Sequence, residues 1–143
     1  MYIEVTGGTA SQKKYVHSMV EYCISMLMPR MKTLNISVNL TTLKGAYGYC
    51  LCEDTRNFEL EIHKKLRLRP LLETLAHEMV HVKQYARKEL KNDNVWLGKT
   101  YNPEKVCYWD QPWEIEAHGR ECGLFVRWAE HHNLGHLKWA QDN

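Results

Sequence analysis

TLAHEMVHVKQ, residues 74–84, predicts a helix with two different faces. At about 100° per residue, apolar side chains form one stripe along this helix, and the stripe consists of Leu71, Leu75, Met79, Val82 and Ala86. A neighbouring arc carries polar and reactive side chains, which are Thr74, His77, Glu78, His81 and Tyr85. The sequence therefore predicts a helix that packs on a core along one face and presents reactive groups along the other.

The reactive face contains the motif H-E-x-x-H. His77 and His81 lie four residues apart, which stacks both imidazoles on one side of a helix. Two imidazoles so placed can bind one Zn²⁺, while Glu78 is angled toward the open coordination position and can take a proton from the bound water. The alternative is a helix with two exposed histidines and a glutamate in a salt bridge. A third ligand elsewhere in the chain would favour the metal site.

The stretch DQPWEIEAHGRE, residues 110–121, contains the candidates for that third ligand. Its proline, Pro112, can open a helix at the first position. On this helix Glu114, His118 and Glu121 fall inside the apolar arc. An inward carboxylate is costly unless it is paired or bound to a metal, so we expect Glu114 to be a metal ligand. His118 and Glu121 are expected to make hydrogen bonds behind the ligands.

Glu116 falls on the other side of the same helix, next to Arg120. The two residues are predicted to form a solvated i,i+4 ion pair on the outer face. Ile115, Cys122 and Val126 are expected to widen the inward apolar arc. The acids of this helix are therefore not equivalent, and only one of them is assigned to the metal.

An H-E-x-x-H motif followed on the next helix by a glutamate resembles the gluzincin pattern of zinc metallopeptidases. Small gluzincins include ImmA/IrrE-type peptidases, whose E-x-x-A-N segment supplies the third zinc ligand from its glutamate. Residues 114–118 match that segment, with His118 where the family has asparagine. The phrase PWEIEAHGRE also resembles small phage-encoded metallopeptidases, some of them labelled SprT-like, and SprT-type proteins can use a histidine as third ligand. The resemblance covers residues 70–130 and selects Glu114, with His118 as the fallback.

The resemblance implies a hydrolytic mechanism. The implied zinc ligands are His77, His81 and Glu114. Zinc would leave one position open for water, and Glu78 would act as general base, passing the proton on to the leaving amine. The tetrahedral oxyanion needs a further donor. The candidates for that donor are Tyr101, Tyr108 and His118.

The periodicities outside the two motifs predict an α+β fold. It is expected to contain an N-terminal helix, a small and mostly antiparallel sheet, an active-site helix and a second ligand-bearing helix. The predicted strands are residues 2–6, 34–40, 46–53 and 57–63. The predicted helices are residues 11–28, Pro70 to about Leu90, and Pro112 to about Glu130. Residues 91–110 form a long connection whose aromatic side chains suggest an ordered segment that shapes the cleft.

Residues 57–63 alternate between apolar and polar side chains, a pattern that suits an edge strand. An edge strand next to the active helix could pair with an extended peptide substrate. The basic run at residues 64–69 is predicted to be a solvated edge. Cys50 and Cys52 are expected to be buried small side chains. The C-terminal histidines, which are His131, His132 and His136, are expected to lie in an exposed tail.

The length of 143 residues suits one metallopeptidase domain over residues 1–143. A net charge of +2 argues against a nucleic-acid or membrane partner. No apolar run reaches the roughly 18 residues of a membrane span, and residues 1–5 lack a signal-peptide pattern. Five irregularly spaced cysteines are typical of reduced proteins. A cytoplasmic location is expected, in a host cytoplasm if the protein is phage-encoded.

The leading hypothesis is a zinc metalloendopeptidase that hydrolyses a protein or peptide substrate. The alternative is a non-catalytic zinc-binding or interaction module derived from a peptidase fold. Glu78 favours the enzyme, because a structural metal site needs ligands but no base. A nuclease is the third reading, and the near-neutral charge counts against it. The substrate and the oligomeric state are left open.

Overall fold

A computed structural model describes residues 1–141, and it confirms the α+β class. The strands of the main sheet are β1 (Tyr2–Thr6), β2 (Asn35–Thr41), β3 (Gly48–Cys52) and β4 (Asn57–His63). A small second sheet consists of β5 (Leu90–Lys91), β6 (Val95–Trp96) and β7 (Lys99–Thr100). The helices are α1 (Ala10–Leu27), α2 (Leu68–Ala86), α3 (Pro112–His131) and α4 (Lys138–Gln141), and a single 3₁₀ turn spans Tyr108–Asp110.

The main sheet has the strand order β1-β2-β4-β3. The pairings β1–β2 and β2–β4 are parallel, and only β3–β4 is antiparallel. The expectation of a mostly antiparallel sheet is therefore wrong. The physical reason is the connection through α1, which returns the chain to the starting end of β1, so that β2 runs in the same direction as β1.

Strand β4 lies inside the sheet, between β2 and β3, so the prediction of an edge strand at 57–63 is also wrong. Its apolar residues are buried, whereas Glu59 and Glu61 are half-buried on the opposite face. This alternation arises because the helices pack on one face of the sheet and leave the other face toward solvent. It gives no information about which strands lie beside β4. The edge next to α2 is β3 instead.

Helices α1, α2 and α3 pack together over the covered face of the sheet and share one hydrophobic core. The whole predicted apolar stripe of α2 is buried, as are Phe125 and Trp128 of α3. Helix α2 begins two residues before Pro70 and ends at Ala86, because the chain then turns into the hairpin of β5 and β6. No helix within residues 1–141 combines the length and apolar character needed to cross a membrane.

Strand β3 lies close against the N-terminal half of α2, and a glycine allows that approach. A Cβ atom at Gly48 would lie 2.8 Å from Thr74 Cγ2 and 3.3 Å from the carbonyl oxygen of Glu61. A backbone carbonyl within the sheet cannot move aside, so a larger residue would push β3 away from the helix. Gly48 therefore places the sheet edge beside the reactive face of α2.

The basic run at residues 64–69 is only partly solvated. Lys64 and Lys65 lie at the surface, as expected. Arg69 instead donates to Glu73 and to the backbone carbonyl oxygen of Ala140, and its guanidinium lies 4.8 Å from the centre of the Phe125 ring. The solvated-edge prediction is thus wrong for Arg69, because the C-terminal segment folds back over the start of α2.

Candidate metal centre

Helices α2 and α3 pack so that the two histidines of α2 meet the first turn of α3. His77 Nε2 lies 3.1 Å from Glu114 Oε1, and His81 Nε2 lies 3.3 Å from Glu114 Oε2. The three side chains are 10–13% exposed. The i,i+4 spacing on α2 and the Pro112 start of α3 therefore bring Glu114 into contact with both histidines predicted as ligands, each through a different carboxylate oxygen.

Both imidazoles present both of their ring nitrogens to oxygen acceptors. Nδ1 of His77 faces Glu121 Oε1 at 3.7 Å, and Nδ1 of His81 faces Gln84 Oε1 at 2.8 Å. A neutral imidazole carries only one N–H, so His81, with an acceptor at hydrogen-bond distance on Nδ1 and a carboxylate at Nε2, requires a second proton or another cation, and the two carboxylates around His77 favour the same. A metal ion bound by the two Nε2 atoms and Glu114 would meet this requirement. Two imidazoles and one carboxylate are a donor set of catalytic zinc sites.

The pKa shifts reflect the same demand for positive charge. Burial lowers the pKa of His77, but its contacts with Glu114 and Glu121 outweigh burial and raise the value to about 9. The pKa of His81 is raised for a similar reason, again mainly by Glu114 against burial. Burial favours the neutral form of Glu114, yet the two imidazoles hold its pKa well below the usual range. Glu114 is therefore ionised, as a metal ligand must be.

Tyr108 and His118 extend the site on the side of α3. The hydroxyl of Tyr108 donates to Glu114 Oε1 at 3.0 Å and also lies 3.0 Å from His118 Nε2. Nδ1 of His118 lies 2.7 Å from Glu121 Oε1. Burial first, and then Glu114, raise the pKa of Tyr108 well above its usual range, so the phenol keeps its proton. The inward orientation predicted for His118 and Glu121 is confirmed.

A cavity of about 450 Å³ opens in front of the histidines. The reactive face of α2, the edge strand β3 and the tip of the β5–β6 hairpin line it, with Tyr108 and Glu114 at its α3 end. Glu78, which follows His77 in the sequence, also lines this cavity, and its side chain is buried. Burial, only partly offset by His81 and His77, raises the pKa of Glu78. A carboxylate with a raised pKa is suited to accept a proton near neutral pH.

Within residues 1–141, one group of side chains brings its ligand atoms close enough together to hold a metal, and this second ligand set has His118 in place of His81. One atom each from His77, Glu114 and His118 lie within 4.8 Å of one another, so these residues could also hold a metal. His118 is not among the residues that line the cavity, and its side chain is 33% exposed. His77 and Glu114 are common to both sets, and His81 lines the cavity whereas His118 does not.

Glu116 does not lie on a solvated outer face. It pairs with Arg120 at 2.9 Å, as predicted, but it also accepts from Lys83 Nζ at 2.6 Å and from Gln84 Nε2 at 3.0 Å. Its side chain is only 17% exposed. A helical wheel of α3 shows only which residues share a face of that helix. It does not show that α2 packs beside Glu116 and covers it.

Three other expectations about this region are wrong. Ile115 and Cys122 are exposed, so they do not widen the inward arc of α3. Tyr101 packs edge-on against Trp113, with ring centres 5.7 Å apart, and does not line the cavity. Among the oxyanion candidates, the structure brings Tyr108 to the cavity, and it places His118 behind Tyr108.

Sequence reasoning missed Gln84, whose amide contacts His81, Trp113 and Glu116. Its position three residues after His81 was the available signal, because residues three apart share a helix face. It also missed the contribution of β3, since Cys50 lines the cavity together with Tyr49. The long connection does shape the cleft as expected, through residues 91–94 at the hairpin tip.

No family model, curated protein or solved structure matches this chain. The resemblance to gluzincins therefore rests on the residues of α2 and α3 alone. Those residues are His77, Glu78, His81 and Glu114.

Proposed function

We propose that the chain is a zinc-dependent metallopeptidase of the gluzincin type, which hydrolyses peptide bonds in a protein substrate. The observation that carries the proposal is the approach of one partly buried carboxylate, Glu114, to Nε2 of both His77 and His81. This arrangement lies at the wall of a cavity that also contains Glu78. A ligand set, a base and an open space for substrate are the parts that a catalytic zinc site requires.

The residues have separate roles in this proposal. His77, His81 and Glu114 bind zinc. When bound, zinc lowers the pKa of a water molecule and polarises the scissile carbonyl group. Glu78 takes the proton from the attacking water and delivers it to the nitrogen of the leaving amine.

Tyr108 is the proposed donor to the oxyanion. It lines the cavity, and its hydroxyl group lies between Glu114 and His118. Its single proton is donated to Glu114 Oε1 in the structure and is proposed to turn to the oxyanion during the reaction. Its raised pKa keeps the phenol protonated, so it can donate a hydrogen bond at neutral pH. An oxyanion donor must lie about 3 Å from the developing charge, and a hydroxyl at the cavity wall can reach such a position.

The substrate is proposed to bind as an extended segment along β3. This strand is the edge of the main sheet, and its residues Gly48, Tyr49 and Cys50 line the cavity. An edge strand offers unpaired backbone groups to a peptide in a β conformation. The strand proposed to pair with the substrate is therefore β3, and not residues 57–63 as the sequence predicted. A cytoplasmic site of action, in a host cell if the gene belongs to a phage, is part of the same proposal.

A non-catalytic zinc or interaction module is the competing proposal. It leaves the buried Glu78 without a purpose, because a carboxylate that binds no metal adds only a desolvation cost to a structural site. The two proposals differ in what Glu78 does to a substrate. They agree on metal binding, so metal binding alone does not separate them.

The test is cleavage of an unstructured peptide library by the zinc-loaded protein, read by mass spectrometry. We expect Glu78→Gln to retain zinc and to lose activity by about 10²–10⁴-fold, the usual contribution of a general base. Glu73→Gln is the matched control, since Glu73 lies on the same helix and pairs with Arg69 outside the cavity. Equal cleavage by wild type and Glu78→Gln would remove the proposed mechanism, and zinc binding without any cleavage would favour the non-catalytic module.

A further inference from the structure

Gln84 is a fully buried polar side chain whose amide makes three hydrogen bonds. Its Nε2 donates to the backbone carbonyl oxygen of Trp113 at 2.9 Å and to Glu116 Oε1 at 3.0 Å. Its Oε1 lies 2.8 Å from Nδ1 of His81. Gln84 thus connects a proposed zinc ligand on α2 with the first turn of α3.

The orientation of this amide follows from its partners. Trp113 and Glu116 offer only acceptor oxygens, so the NH₂ group must face them, and the carbonyl group must face His81. A rotated amide would place its oxygen against a carbonyl and a carboxylate in a buried site, at the cost of two lost hydrogen bonds. The hydrogen-bond acceptors of α3 therefore determine that Gln84 presents an acceptor to His81.

An acceptor at Nδ1 selects one form of the histidine. Nδ1 of His81 must carry hydrogen, and the hydrogen-free position of the neutral ring is then Nε2, which faces Glu114. Only that tautomer can offer an Nε2 lone pair to a metal between His81 and Glu114. A partner that holds the second ring nitrogen also limits rotation of the imidazole.

Glu116 is held in turn by two cations. Lys83 and Arg120 both donate to Oε2, at 2.6 Å and 2.9 Å, which leaves Oε1 for Gln84. Lys83 also pairs with Glu89 at 2.8 Å. Because Arg120 remains when Lys83 is removed, the carboxylate of Glu116 does not depend on Lys83 alone.

We propose that Gln84 is a positioning residue, locked by Glu116 and Trp113, which holds His81 in the tautomer and orientation that bind zinc. This inference rests on the zinc site of the proposed function and assigns it a further part. Gln84 touches neither the metal nor a substrate, and it acts only through His81.

The test is the zinc dissociation constant of the full chain, measured by competition with a chelating indicator. We expect Gln84→Met, which keeps the side-chain volume but removes the acceptor, to raise this constant by about 10–100-fold, as loss of an outer partner of a metal-bound histidine does. Lys83→Met is the control, because it breaks the ion pair with Glu116 of α3 and the ion pair with Glu89, which follows α2, without touching His81. It should change zinc affinity by less than about threefold while lowering the metal-free melting temperature.

A second readout follows the ring itself. In ¹⁵N spectra of the zinc-bound protein, wild type and Lys83→Met should show a slowly exchanging Nδ1–H on His81, and Gln84→Met should lose that protection. Should Gln84→Met fail to fold, Glu116→Ala gives the same readouts, with an expected affinity loss of about tenfold. Wild-type affinity and wild-type exchange in the Gln84 or Glu116 variant would overturn this inference alone. Absence of zinc binding in wild type would overturn the proposed function as well.

Discussion

Two pairs of histidines in this molecule have the same ring separation but very different surroundings. The ring centres of His77 and His81 are 4.9 Å apart, and so are those of His131 and His132. The first pair is buried and faces carboxylates from a second helix, whereas the second pair is exposed at the end of α3. Within residues 1–141, neither histidine of the second pair forms an ion pair with a carboxylate. The separation of two imidazole rings therefore does not by itself indicate a metal site. The feature that distinguishes the first pair is the carboxylate of Glu114, which faces both rings.

The strongest way to break this contrast is to remove that acid. Glu114→Ala deletes the carboxylate that faces both Nε2 atoms, so we expect zinc affinity to fall by more than about 100-fold. The matched control is the double variant His131→Ala/His132→Ala, which should bind zinc like wild type. Metal content by mass spectrometry after dialysis measures both. Full retention of zinc by Glu114→Ala, or loss by the control, would contradict the ligand assignment.

Comparing the zinc affinities of His81→Ala and His118→Ala distinguishes the two overlapping ligand sets, and the expected difference is smaller than the effect of Glu114→Ala. His81→Ala should lose most zinc binding, because His81 is a ligand in the proposed site. His118→Ala should keep the metal with an affinity reduced by about tenfold, since His118 supports Tyr108, which in turn bonds to Glu114. Isothermal titration of both variants distinguishes them. The reverse order of effects would assign the metal to His77, Glu114 and His118.

The smallest expected effect is a pH dependence of the metal-free protein. Burial lowers the pKa of His77, but Glu114 and Glu121 raise it to about 9. Because this folded value exceeds the roughly 6.5 of an unfolded histidine, the stabilisation is complete below pH ~6.5 and is lost as pH rises through about 9. Urea unfolding with a chelator present should show the free energy of unfolding falling over that window.

Two controls accompany that measurement. The variant His131→Ala/His132→Ala should show the same decline, because the two histidines that it lacks are exposed and have no carboxylate partner within residues 1–141. Glu114→Gln should flatten the profile, since it removes the main partner that raises the pKa. A flat wild-type profile would mean that the carboxylates do not favour a charged imidazole, and the case for a cation site would weaken.

The contrast also explains how much of the site could be predicted from the sequence. The common face of His77 and His81 and the inward orientation of Glu114 were predictable because each residue lies on a helix, where spacing determines which side chains share a face. The surroundings of Glu116 were not, because one helical wheel cannot show where the neighbouring helix lies. Gln84 was overlooked for the same reason, as its partners Trp113 and Glu116 belong to α3.

The sheet shows the same division between local and long-range information. The period of two in β4 correctly predicted a strand over residues 57–63, and its polar face correctly reflected solvent on one side. Neither the period of two nor the polar face indicates which strands lie next to β4 in the sheet. The order β1-β2-β4-β3 depends on the crossover through α1 and on how β3 folds back on β4. The sheet edge beside α2 was therefore assigned to β4 and not to β3.

The most direct test of the central claim is an anomalous difference map at the zinc edge, from crystals grown with one equivalent of zinc per chain. We predict one peak about 2.0–2.2 Å from Nε2 of His77, Nε2 of His81 and a carboxylate oxygen of Glu114. The peak should face the cavity that contains Glu78. A peak at His131 and His132, or one that uses His118 while His81 is free, would contradict the account.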